Sequence, residues 1–104
     1  MATQREKRGS NPIPEGLNTG GIGAASEMLV CADLVLRGLS VLRAVSPSCP
    51  FDLAVMKSGK LLRVEVTTGR RHPTGKVIHV KKDKERFDIL AVVIKKEIIY
   101  IPDL

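Results

Sequence analysis

Asp52 and Glu65 stand thirteen positions apart, with Ser58-Gly59 midway between them. Ser-Gly marks a tight turn. If it closes a two-residue hairpin, counting outward sets Lys57 opposite Lys60, Val55 opposite Leu62 and Asp52 opposite Glu65. Directly opposed side chains have Cβ atoms about 4.5–5.5 Å apart, and like charges there destabilise a sheet. Something must therefore neutralise the pair, and two readings stand. A divalent cation between hard oxygen donors would do so. So would Arg63, which shares the face of Glu65 and falls opposite Ala54, as an ordinary structural ion pair.

A third carboxylate, Glu27, has Ala24, Cys31 and Leu34 as its neighbours at three, four and seven residues, so it does not occupy a plainly solvated helix face. The alternative is a surface glutamate stabilised near the positive end of a helix. Immediately after the acidic strand comes a basic loop with Arg70, Arg71, His72 and Lys76, suited to phosphates flanking a reacting bond; the alternative is a solvated loop. His72 and His79 share no ligand spacing with another His or Cys and are read as surface residues. Cys31 and Cys49 suggest neither a zinc site nor a disulfide framework and are read as reduced thiols.

The elements that must position these residues follow from the apolar pattern. Ala25, Met28, Leu29, Ala32, Val35, Leu36 and Leu39 recur at three- and four-residue spacing, which predicts an amphipathic helix from about Gly20 to Gly38. Strands are predicted over residues 39–45, 51–56, 61–68 and 76–80, and a closing hairpin over 89–94 and 98–101. The unalternating run Ile89-Leu90-Ala91-Val92-Val93-Ile94 suits a strand covered on both faces. Lys81 to Arg86 reads as a solvated charged turn, with phosphate contact the weaker option. The architecture expected is α/β: one N-terminal helix on a mixed sheet whose first three strands form an antiparallel meander. Residues 69–87 suffice to carry a parallel crossover, but contain no clear amphipathic helix.

The 104 residues allow one domain, expected over 19–104, behind a flexible basic tail over 1–18. A composition 43% hydrophobic and 27% charged excludes a wholly disordered chain. The net charge of +6 favours a polyanion such as nucleic acid, with an anionic membrane surface as the competing reading. No apolar run approaching a membrane span and no secretory signal are read, so a cytoplasmic protein is expected. One tyrosine, two phenylalanines and no tryptophan argue against a dedicated single-strand binder, which works by aromatic stacking.

A helix carrying Gly23-x-x-x-Glu27, a strand with Phe51-Asp52-Leu53, a hairpin, and a strand with Val64-Glu65-Val66-Thr67-Thr68-Gly69 follow one another. This order resembles the PD-(D/E)XK nuclease superfamily over residues 20–102, in particular small archaeal Holliday-junction resolvases and intron- or phage-encoded endonucleases. Residues 34–41 resemble the family's helix end and entry into its first strand. Residues 87–93 with 99–102 resemble its closing hairpin.

The resemblance implies a restriction-endonuclease-like core and metal-dependent hydrolysis of nucleic acid phosphodiesters, with Mg2+ or Mn2+ as cofactor and double-stranded or branched DNA as substrate. It implies that Asp52 and Glu65 hold the ion with the main-chain carbonyl of Val66, while Glu27 orders a water or a second ion. A homodimer would fit a two-stranded substrate. Thr67 departs from the pattern, because the family usually has there a lysine that supports the nucleophile and stabilises transition-state charge. Three explanations stand: the lysine's role has moved to another cation, Thr67 supports a slower reaction, or the fold persists as a non-catalytic nucleic-acid-binding module. The candidates for a moved cation are Arg63, Lys57, Arg70 and Lys76, with Arg63 best placed by strand parity. An interaction domain using an exposed hairpin edge is the reading from a different class.

Overall fold

The computed structural model describes residues 14–104, so most of the tail expected over 1–18 lies outside the described residues. Asn18 opens the first element as an N-cap, its side-chain Oδ1 accepting the Gly21 N–H at 2.9 Å. The helix α1 (Thr19–Leu36) that follows ends at Arg37, and Gly38 takes the left-handed φ of 84° that a helix stop commonly needs.

The helix lies where the spacing predicts it, but its buried stripe is Ser26, Val30 and Leu34. The residues expected to face inward point elsewhere: Met28, Leu29, Val35 and Leu36 are 62%, 37%, 58% and 86% exposed, which corrects the expected face. Apolar residues surround this helix on nearly all sides, so their period alone cannot choose the packed one. By length and composition α1 also suffices to cross a membrane, contrary to the expectation that no apolar run does.

Strands β1 (Ser40–Arg43), β2 (Leu53–Lys57) and β3 (Lys60–Arg71) form the expected antiparallel meander. Ser58 and Gly59 close the β2–β3 hairpin with φ of 53° and 77°. That turn gives the register counted from sequence, Lys57 against Lys60 and Val55 against Leu62. β3 runs three residues further than expected, since Gly69 to Arg71 pair with the short strand β4 (Val77–His79) instead of forming a loop. Gly69 is required there: a Cβ on it would sit 2.5 Å from Val92 Cγ1 and 2.8 Å from the Ile78 carbonyl oxygen.

After a single 3-10 turn (Lys84–Arg86), β5 (Ile89–Ile94) pairs parallel to β3, and β6 (Glu97–Ile101) returns antiparallel. The crossover between β3 and β5 thus contains β4 and a helical turn rather than a full helix. The sheet order is β1-β2-β3-β5-β6, with β4 attached to the end of β3. Ile89 through Val93 are all buried, as expected of an interior strand covered on both faces.

The core between helix and sheet is built from Val30, Leu34, Leu53, Val55, Val64, Ala91 and Val93. Even-numbered β3 residues face α1, as Val64 in this core and the 3.4 Å contact of Ser26 Oγ with Thr68 Oγ1 show. Alternation therefore sends Arg63, Glu65 and Thr67 to the opposite face. The chain is an α/β domain with an N-terminal helix on a mixed sheet, the restriction-endonuclease-like arrangement.

Candidate active site

Asp52 immediately precedes β2, whose paired register ends at Leu53 against Val64; its N–H donates to that same Val64 carbonyl at 3.2 Å, so the chain bulges here and does not carry the count on to the expected Asp52 against Glu65. Its carboxylate turns past the end of β2 to accept the Val66 N–H at 2.8 Å. Along a strand, the N–H and C=O of one residue point to the same side. The Val66 carbonyl therefore also faces the Asp52 side, where β2 has ended and no strand of the sheet lies beside it. The Asp52 carboxylate and the Val66 carbonyl thus share this strand end, with Glu65 the adjacent residue along β3.

Charge couples Asp52 to both neighbouring acids. Partial burial raises the Glu65 carboxyl above its ordinary value; repulsion by Asp52 adds to the rise, and Lys82 and Arg86 only partly oppose it. Glu27, reaching from α1, is raised in the same way by burial first and Asp52 second, with Arg43 opposing. The fold thus brings the three sequence-predicted carboxylates into one electrostatic neighbourhood with Asp52 at its centre.

Among the described residues no group of three or more His, Cys, Asp or Glu side chains is close enough to hold a metal ion. A cation here would rest on Asp52 and Glu65, with main-chain, water and substrate oxygens completing its shell. That donor set fits an ion that keeps several waters and binds through one or two carboxylates plus substrate phosphates.

The basic residues divide differently from the expectation. Arg63 does lie on the face of Glu65, yet its guanidinium is committed elsewhere. Nε and Nη2 grip both Asp88 oxygens at 3.1 Å, and Nη1 donates to the Glu85 carbonyl at 3.0 Å. Neither the structural pairing with the acidic dyad nor the role of a moved cation falls to Arg63; it ties the segment before β5 to β3. Arg71 is bound to Glu97 at 2.6 Å and to the Gly75 carbonyl, which removes it from the set of unengaged phosphate binders. Arg70 and Lys76 are exposed and make no ion pair among the described residues. Lys57 belongs to the hairpin end of β2, five residues from Asp52 along the chain.

Thr67 is 8% exposed, so the position two beyond Glu65 is closed over. The cation that does approach the dyad is Lys82, whose Nζ lies 3.7 Å from Glu65 Oε2. The run 81–86 reads as solvated in sequence, and nothing local marks Lys82. Its proximity arises because β4 reverses the chain and leads it back beside β3. Lys82 and Arg86 line one cleft of about 180 Å³ with Glu65 and Phe87.

The profile of the PD-(D/E)XK endonuclease family matches residues 17–98, a span holding α1, all three carboxylates and Lys82. The chain belongs to this family. Among solved structures it is similar to that of a bacterial homing endonuclease, I-Ssp6803I, at 16% identity and a TM-score of 0.63, over 81% of this chain and 67% of that one. No curated protein matches it. PD-(D/E)XK endonucleases act on nucleic acid and generally use divalent metal ions.

Proposed function

We propose that this PD-(D/E)XK protein is an endodeoxyribonuclease that hydrolyses phosphodiesters with Mg2+ or Mn2+ at Asp52 and Glu65. The observation that carries the reading is the Asp52 carboxylate held on the Val66 N–H at the end of β2, beside Glu65, whose carboxyl is raised by partial burial and further by the charge of Asp52. A fold retaining that repulsion without a cation would gain nothing from it. Bound there, a divalent ion supplies Lewis acidity toward a phosphate oxygen and lowers the pKa of a water.

The chain's own residues divide the remaining work. Asp52 and Glu65 fix the ion and hence the phosphate, with Asp52 kept in place by the Val66 N–H. Glu27, its carboxyl raised by burial and by the charge of Asp52, orders water on the α1 side of the dyad. Arg70 and Lys76 bind flanking phosphates of double-stranded or branched DNA. A homodimer would offer one such site to each strand.

A second reading, a non-catalytic DNA-binding module, draws on the buried, uncharged Thr67. Cleavage of supercoiled plasmid and of a branched junction, with Mg2+ and with EDTA, separates the two. The nuclease reading expects Mg2+-dependent products that Asp52→Ala and Glu65→Ala both remove. Salt-sensitive DNA binding without any cleavage would instead support the binding module.

A further inference from the structure

Hydrolysis of a phosphodiester builds negative charge on the phosphoryl oxygens, and a positioned cation in a partly desolvated cleft lowers that barrier more than it would in water. Several cations of the described chain are already spent. Arg37 pairs with Asp33, Arg63 with Asp88, and Arg71 with Glu97. Lys57 and Lys60 mark the hairpin end of β2 and β3, away from Asp52. The ammonium of Lys82 is placed on a carboxylate of the dyad itself.

We propose that Lys82 is the catalytic cation of this site, reaching the scissile phosphate from the segment between β4 and β5 in place of a lysine on β3 at position 67. The inference rests on the nuclease reading above and deepens it. Three features of the structure carry it. The position on β3 two beyond Glu65 is closed, with Thr67 8% exposed, so a charge at that place would be buried. Lys82 stands 3.7 Å from Glu65 Oε2 with its side chain 30% exposed, close enough to the dyad to share its phosphate and open enough to leave the carboxylate for it. The segment is also anchored. Arg63 fastens Asp88 and Glu85 to β3, the Asp88 N–H donates to the Arg63 carbonyl, and Asp83 accepts the Glu85 N–H. Arg63 is accordingly a positioning residue, and Lys82 the group that meets substrate.

Lysine suits this place because its ammonium is a compact charge on a flexible stem with three rotatable donors, and can turn from Glu65 to a phosphate oxygen. Its pairing with Glu65 before substrate arrives also limits the repulsion between the two acids.

The test is single-turnover cleavage of a defined DNA duplex or junction by the full chain at saturating protein, across a Mg2+ series. The wild type is compared with Lys82→Ala, Lys82→Gln, Lys82→Arg and the nearby charge-loss control Lys84→Ala. Binding of the same DNA is measured with Ca2+ in place of Mg2+. The expectation is a fall in the saturated rate on the order of 10²–10³ for Ala and Gln. Arg should restore part of the rate, Lys84→Ala should stay near wild type, and the Ca2+ binding constants should change little. A Lys82→Ala rate equal to wild type at saturation, with only weaker DNA binding, would make Lys82 a phosphate clamp and overturn the proposal. An equal rate reached at lower Mg2+ would overturn it too, by showing that Lys82 merely fills the seat of the ion. A wild type that never cleaves would remove the nuclease reading and this assignment together, an outcome distinct from both.

Discussion

Replacing Glu65 by glutamine should make the metal-free protein more stable and the metal-loaded protein less stable than wild type. In the fold the Glu65 carboxyl is raised, by partial burial and then by Asp52, even though Lys82 and Arg86 act to lower it, so without a divalent ion the fold disfavours the charged carboxylate relative to the unfolded chain. Relieving a like charge on the neighbouring strand, here Asp52, is worth up to about 0.2–1 kcal/mol, the range for directly opposed pairs. The forfeited Lys82 contact, a 3.7 Å partly exposed pair, offsets only part of this. For a domain of this size 1 kcal/mol moves Tm by roughly 4–8 °C, so Glu65→Gln should gain about 1–5 °C in EDTA. With Mg2+ at ten times its Kd the wild type gains about 1.4 kcal/mol and overtakes the variant. The pH dependence has a definite sign. A carboxyl raised in the fold contributes stability that is complete below its unfolded value, here 4.5, and lost as pH rises through the folded value. The advantage of the variant in EDTA should therefore close as pH falls toward 4.5 and open above it. Differential scanning fluorimetry in EDTA and in Mg2+ between pH 4.5 and 8 reads all of this. A variant less stable than wild type in EDTA at pH 8, or an equal response of both to Mg2+, would refute the reasoning.

Gly69→Ala should cost about 1–3 kcal/mol by driving β4 and β5 from β3, visible in urea titration, because its Cβ would stand 2.5 Å from Val92 Cγ1. Tyr100→Phe should cost about 1–2 kcal/mol, since the buried hydroxyl donates to Asp33 at 2.6 Å and joins β6 to α1; the same denaturant series measures it. Arg63→Ala should speed amide exchange at Asp88 and Arg86 and slow cleavage while the core strand β5 keeps its protection, because the clamp holds the segment rather than the sheet.

The hairpin was legible as far as Leu53 against Val64 because its register depends on local chemistry: Ser58 and Gly59 adopt the positive φ values of a two-residue turn, and counting holds until Asp52, whose N–H bonds to Val64 one step out of register. Parity likewise placed Arg63 with Glu65. What parity could not supply was the partner of Arg63, because Asp88 comes alongside only through the parallel register that sets Val64 against Ile89. The packed side of α1 was illegible for another reason. With Met28, Leu29, Val35 and Leu36 all apolar and all outside the buried stripe, the choice is made by the sheet that Ser26, Val30 and Leu34 meet. Gly69 to Arg71 looked like loop because a glycine and a nearby His-Pro usually break strands, whereas here the missing side chain admits β4. Lys82 was hidden most completely. Its neighbour Glu65 is seventeen positions back in the chain, joined to it only by the β4 reversal.

The most direct measurement is the initial rate of cleavage of a supercoiled plasmid against Mg2+ concentration, for wild type and for Asp52→Asn purified side by side. Asparagine can still accept the Val66 N–H but removes the charge at the centre of the three acids. The account predicts a saturable Mg2+ dependence in the wild type, no cleavage in EDTA, and loss of cleavage in a variant that remains folded. Equal cleavage by the two proteins, or cleavage that persists in EDTA, would contradict it.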